Sequence, residues 1–205
     1  MSTKRKLYLS ILSLVFVILT LGVATFSILS ATQQYISANL SIVYNADNIK
    51  AKIKGKYSVN GATPVSLINS VGGDVVSFES KEDYSAKTLS NGGVDIQLSP
   101  TDTSVLFIYT FINANPSGGT AMKVTFSDGS AKSNLTVKYL ASTTSEPTLA
   151  QTKASTDTTG SFTLTIAAGS SGYVAIYMEI TSIYSDAYYT SSTTAGIVSD
   201  LTSVT

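Results

Sequence analysis

Residues 7–29 form an apolar run, LYLSILSLVFVILTLGVATFSIL, relieved mainly by Ser and Thr. The run has no polar face, which predicts a hydrophobic N-terminal helix over residues 1–30 rather than an amphipathic helix laid on a core. Lys4, Arg5 and Lys6 precede it, and the next charged residue is Asp47. A basic start followed by an apolar stretch is the pattern of a secretory leader. Ended near Gly22, the run is a slightly overlong leader core; continued to Leu29, it reaches the roughly 20 residues that span a hydrocarbon core. In both cases the basic end is expected in the cytosol and the remainder outside. Gly22-Val23-Ala24 comes nearest to a small-residue cleavage pattern, which makes Ala24 the expected cleavage position and residues 1–30 a signal peptide or membrane anchor.

Beyond residue 30 the hydrophobic period changes to two. Tyr35, Ser37, Asn39, Ser41 and Val43 alternate with Ile36, Ala38, Leu40, Ile42 and Tyr44, and the second set is apolar enough to bury. Ala51, Ile53, Gly55, Tyr57 and Val59 then alternate with Lys52, Lys54, Lys56 and Ser58; the lysines read as a solvated face that also discourages edge pairing. Further strands are expected over residues 75–78, 94–98, 104–113, 122–127, 135–140, 161–166 and 173–180, set apart by Gly, Asn, Asp and Ser. Thr63-Pro64 is a helix-start signal, and Gly72-Gly73 a stop, so residues 65–71 predict a two-turn helix. Asp128-Gly129 predicts a tight hairpin turn. Residues 141–159, rich in Ser and Thr around Pro147, predict an exposed mobile loop. The pattern as a whole predicts an all-β fold, an antiparallel jelly-roll-like β-sandwich over residues 31–205 preceded by one N-terminal hydrophobic helix.

Composition narrows the chemistry. Thirteen Lys and Arg balance thirteen Asp and Glu in 205 residues, so no basic surface for nucleic acid is expected. With no Cys, no disulfide or thiolate site can form. With no His, the commonest general base and metal ligand is missing, and a Ser-His-Asp triad cannot be built. A Ser–Lys dyad remains open in principle, but no Ser-x-x-Lys signature falls on an expected helix. Glu79, Glu82 and Asp83 form an acidic cluster that reads as a solvated turn before it reads as a calcium site. Asp102 reads as capping its own turn. Among the tyrosines, Tyr109, Tyr173 and Tyr177 fall in expected strands, whereas Tyr184, Tyr188 and Tyr189 are candidates for an exposed binding patch. Asn39 and Asn134 begin N-x-S/T triplets, a pattern common by chance.

Three stretches carry a resemblance. The apolar leader is followed by ATFS and then ISANLSI; LSPTDTSVLFIYTFINA places Pro100 and Asp102 in a turn before an alternating strand closed by Asn113; FTLTIAAGSSGYVAIYMEI runs through a Gly-Ser turn into a long strand. Together these resemble the TasA/camelysin-like secreted proteins of Gram-positive bacteria and related archaeal surface filaments, with Thr101 standing where that family has Gly. The resemblance covers most of residues 30–181 and implies a jelly-roll-like sandwich, export, and assembly into extracellular fibres or a biofilm matrix. Some members carry a metallo-endopeptidase label, but this chain has no His-Glu-x-x-His helix to support one.

The expected function is therefore that of an exported, non-enzymatic structural protein of the cell surface or extracellular matrix, without cofactor or metal. Its expected partners are copies of itself or related surface proteins, and the membrane through its N-terminal segment. Ile36, Ala38, Leu40, Ile42 and Tyr44 are the expected buried face of a strand donated to a neighbouring subunit. A monomeric membrane-anchored adhesion or ligand-binding module and a secreted hydrolase with an atypical site are the alternatives.

Overall fold

A computed structural model of the chain describes residues 3–31, 34–69, 73–83, 87–90, 96–183 and 185–200. The apolar run is helical: α1 spans Thr3–Ala31. Within it, side chains are described for Tyr8 and residues 10–23, and they are exposed. Among the described residues, no helix is long and apolar enough to cross a membrane. Ala24 lies in α1, outside the residues whose side chains are described.

The rest of the described chain is mostly strand. In chain order the first strands are β1 (Gln34–Ser37), β2 (Asn39–Asn45), β3 (Ala51–Val59), β4 (Val65–Ser66) and β5 (Ile68–Asn69). Next come β6 (Val75–Phe78), β7 (Lys87–Ser90), β8 (Ile96–Gln97), β9 (Ser104–Asn113), β10 (Ala121–Asp128) and β11 (Ala131–Ser133). After β12 (Leu135–Ser142) a short helix, α2 (Leu149–Ala154), precedes β13 (Ser161–Ile166), β14 (Ser171–Ile180), β15 (Ala187–Thr190) and β16 (Thr193–Asp200).

Two six-stranded sheets face each other. The front sheet has the order β13-β10-β16-β2-β7-β5; the back sheet has β12-β14-β9-β3-β4, with β6 also paired to β3. A small third sheet, β11-β15-β1-β8, continues the front one, because β1 runs on into β2 and β15 into β16. Inward side chains from both layers interlock, as a sandwich requires. Tyr44 of β2 stacks on Phe78 of β6 with ring centres 4.7 Å apart, and Tyr109 of β9 meets Phe126 of β10 at 6.0 Å. The layers approach closely at Gly55, where a Cβ would lie 2.6 Å from a Leu89 methyl, and at Gly172, where one would lie 2.6 Å from an Ile166 methyl. β9 is buried on both faces, since Leu106 and Ile108 on its outer side pack with Ala175, Tyr177 and Leu149 of α2.

The all-β sandwich and the alternation along 34–45 are as the period of two requires: Ile36, Leu40, Ile42 and Tyr44 are fully buried and Ala38 nearly so, while Tyr35 and Val43 are exposed. Four local expectations are overturned. Residues 65–69 are not helical but form β4 and β5, crossing from the back sheet to the front. So short a helix is unstable alone, and here Leu67 is fully buried with its N–H bonded to Gly55 O at 2.8 Å. Residues 70–72 of that expected helix, and 94–95 of the expected strand 94–98, lie outside the described residues.

Asp128-Gly129 does not turn a hairpin, because β10 pairs in the front sheet and β11 in the small one. The loop 141–159 is not a featureless one: it holds α2, with Pro147 and Thr152 buried. Finally, β3 is an inner strand between β9 and β4 with β6, so its lysines protect no edge. The sheets are antiparallel except along one line: β1 lies parallel to β15, and β2 to β16.

Candidate functional site

That parallel line is one ribbon. Gln34 lies opposite Ala187, Ser37 opposite Thr190, Leu40 opposite Thr193 and Asn45 opposite Val198, so the register does not change where the ribbon passes between sheets. At the crossing, Ser191 Oγ donates to Asn39 O at 2.5 Å. At the far end, Asp47 N–H donates to Ser199 Oγ and Ser199 Oγ donates to Asp47 O, both at 2.8 Å. The other side of the early strand is covered less fully: β7 pairs with residues 39–42 and β8 with 35–36. The structure thus places Ile36, Ala38, Leu40, Ile42 and Tyr44 together, in the core of their own chain.

Beside the crossing sits a cluster of hydrogen-bonded polar side chains. Asp128, at the corner between β10 and β11, turns its carboxylate inward. Oδ1 accepts from the Ser130 N–H at 3.0 Å, the Tyr189 hydroxyl at 3.0 Å and the Thr193 hydroxyl at 3.3 Å, and also from the Ser130 hydroxyl. Oδ2 accepts from the Tyr139 hydroxyl. Tyr139, Tyr189 and Thr193 are all buried. Lys132 Nζ donates to Tyr139 Oη at 3.0 Å. Gly160 makes room: its φ is +65°, and a Cβ there would fall 2.8 Å from the Tyr139 ring. Of these residues, Asp128 stood in the sequence as half of the expected Asp128-Gly129 turn and Tyr189 as a candidate for an exposed patch; nothing singled out Ser130, Lys132, Tyr139 or Thr193.

Burial alone would push the Asp128 carboxyl up, but the bonds from Ser130, Tyr139 and Tyr189 outweigh it and hold the group below the usual carboxylate value. Tyr139 and Tyr189 move up, through burial and through Asp128 beside them. Tyr109 also moves up, through burial and then the charges of Tyr189 and Asp128. Ser, Lys, Tyr and a carboxylate stand close together here, the raw materials of acyl transfer. Yet Ser130 Oγ donates to Asp128 and accepts from Ser192 N–H at 2.8 Å, Lys132 meets Tyr139, and the tyrosines are held protonated. The arrangement fixes protons in place. It clasps the β10–β11 corner, β12 and the β15–β16 crossing to one another.

The other candidates stand apart from it. An open cleft of about 300 Å³ on the outer face of the back sheet is lined by Lys54, Lys56, Asp74, Glu146 and Tyr173, with Lys56 and Glu146 paired at 2.7 Å. Glu79 and Glu82 are exposed; the Asp83 side chain lies outside the described residues. No group of acidic residues that could hold a metal ion occurs among the described residues. Asp102 is exposed in a turn closed by Ser99 and receives Asn60 Nδ2 at 3.4 Å. Tyr184 lies outside the described residues, Tyr189 is buried in the clasp, and Tyr188 is exposed. Tyr109 and Tyr177 are buried and Tyr173 half-buried.

No protein-family model and no curated protein matches the sequence. Among solved structures, the chain is similar to the yeast delta-COP-I mu-homology domain complexed with a Dsl1 WxWxV peptide, at 7% identity, over 82% of this chain and 96% of that one. The TM-score is 0.20, and a likeness of that size bears on neither fold nor function.

Proposed function

We propose that the protein is an exported, non-enzymatic structural component of the cell surface or extracellular matrix that assembles by exchanging its first strands between copies. The observation that carries this reading is the ribbon. β1 and β2 form no local hairpin; their main partners, β15 and β16, lie at the other end of the described chain. The same segment from a second copy would therefore supply the same hydrogen bonds and the same buried side chains, which is the condition for low-cost strand exchange. The basic, apolar N-terminal stretch supports export, with cleavage at Ala24 for released material and retention of residues 1–30 for an anchored form. The resemblance to TasA/camelysin-like proteins points the same way.

The test is made on protein recovered outside the producing cell. Its intact mass is expected to lack residues 1–24, and it is expected to sediment as polymer that dissociates on dilution. A cytosolic location, or a mature protein that stays monomeric at every concentration, would sink the reading.

A further inference from the structure

The ribbon has a second face that assembly leaves unused. Tyr35, Ser37, Ser41 and Val43 point outward on β1 and β2, and opposite them stand Tyr188, Thr190, Thr194 and Gly196. Neither segment, 34–45 or 187–198, contains a single charged residue. Tyr35 and Tyr188 face each other across the strand pair, 38% and 47% exposed. The row through Ser41 continues across five strands as hydroxyls only: Ser161, Ser127, Thr194, Ser41 and Thr88 lie in register. Lys123, on β10 beside Val198, lies toward the far end of this face from the two tyrosines.

Such a face is unusual in its chemistry rather than its shape. Sheet surfaces turned to water commonly carry charges of both signs, which keep copies apart. Here there are two ring faces at one end of the ribbon and, about 20 Å along it at the rise of an extended strand, a row of hydroxyls that crosses five strands over about 19 Å at their lateral spacing. Acidic and basic polymers gain nothing from an uncharged track, since their affinity comes chiefly from opposite charge. A neutral polyol gains on both counts: its apolar ring faces can lie on tyrosine, and its hydroxyls can bond to Ser and Thr. From this geometry we infer that the outward face of the ribbon binds a neutral polysaccharide, with Tyr35 and Tyr188 as the stacking platform and the row through Ser41 and Thr194 as the hydrogen-bonding track.

The inference does not depend on strand exchange, because an exchanged β1–β2 presents the same outward residues. A monomer would bind, and a polymer would bind with many sites at once.

The test uses the full chain in a polyoxyethylene detergent, which carries no sugar of its own. Native gels are cast with hydroxyethylcellulose, laminarin or yeast mannan as neutral probes, and with polygalacturonate as the acidic one. At least one neutral polymer is expected to retard the protein, with little dependence on salt, while polygalacturonate does not. Tyr35→Ala with Tyr188→Ala is expected to weaken that retardation about tenfold, the scale of one or two aromatic contacts. Both rings are exposed, so the variant is expected to keep its thermal midpoint. Retardation by none of the neutral polymers, or equal retardation of the variant, overturns the proposal. So does binding to polygalacturonate that salt abolishes. If the two substitutions instead abolish self-association measured by sedimentation and leave polymer binding unchanged, the face is a contact between copies and the proposal falls.

Discussion

At the scale of single residues the molecule turns on Asp128. A half-buried carboxylate is costly unless its lone pairs are filled, and here Ser130, Tyr139, Tyr189 and Thr193 fill them. Asp128→Asn replaces an acceptor that suits all these donors with a group that must itself donate, so a loss of about 1–3 kcal/mol is expected at neutral pH. The sign with pH follows from the lowered carboxyl. A group whose folded value lies below its unfolded one stabilises the fold fully above the ordinary value of 3.8, and that contribution disappears as pH falls through the lower folded value. The gap between wild type and Asp128→Asn in urea midpoint should therefore be full near neutrality and close below about pH 3.8. A gap that stays constant down to strongly acid pH would mean that ionised Asp128 is not what the clasp uses. The tyrosines act in the opposite direction. Their values are raised, so their contribution holds below the ordinary value of 10.0 and is lost as pH rises above it.

Among the elements, α2 shows how a cap turns an unpromising stretch into structure. Thr148 Oγ1 accepts from Gln151 N–H at 3.3 Å while Gln151 Oε1 accepts from Thr148 N–H at 2.9 Å, a reciprocal capping box. The helix is then held to the back sheet by Leu149 on the outer apolar cluster, by Lys153 paired with Glu179 at 3.1 Å, and by the same ammonium over the Tyr177 ring. Thr148→Ala is expected to cost about 1 kcal/mol locally. Amides of residues 149–154 should exchange faster with deuterium while those of β9 and β14 stay protected; unchanged exchange in α2 would show that packing alone holds it. The capping box was legible as Thr-x-x-Gln before a Leu, but the surrounding Ser and Thr concealed it. Most of the longer strands and their buried faces were legible because a period of two needs only local sequence, but β7, β11, β15 and β16 were not among those expected. What was hidden was non-local. Whether Asp128-Gly129 closes a hairpin depends on whether β11 pairs with β10 or with β15, and whether residues 65–69 coil depends on the open edges of β3 and β7. The parallel ribbon was equally out of reach, since nothing near Leu40 says that Thr193 will lie beside it.

For the whole molecule, the question is how a strand so deeply buried can be shared. Leu40 and Ile42 are fully buried, and each large aliphatic side chain removed from water contributes roughly 1.5–3 kcal/mol, so withdrawing β2 from a closed monomer is costly. Exchange restores the same contacts in the next copy, leaving as the net terms the conformation of the connection 46–50 and the entropy of association. Assembly should then be slow to start and favoured by concentration. Deleting residues 31–44 cannot test this, because it removes a strand hydrogen-bonded on both sides and would unfold the monomer in either case. A cysteine pair can. The chain has no Cys, and Ser41 and Thr194 lie opposite one another on the outward face, within the Cα separation of roughly 4.4–6.8 Å that a disulfide tolerates. In Ser41→Cys with Thr194→Cys, a strand paired within its own chain gives a cross-linked monomer. A strand exchanged between copies gives covalent dimers and longer ladders under denaturing, non-reducing conditions. The ladders are expected in the sedimenting fraction and the cross-linked monomer in the supernatant. If sedimented polymer oxidises to completion and yet dissolves into monomers alone, the copies are joined through some other surface and the exchanged ribbon is not the joint.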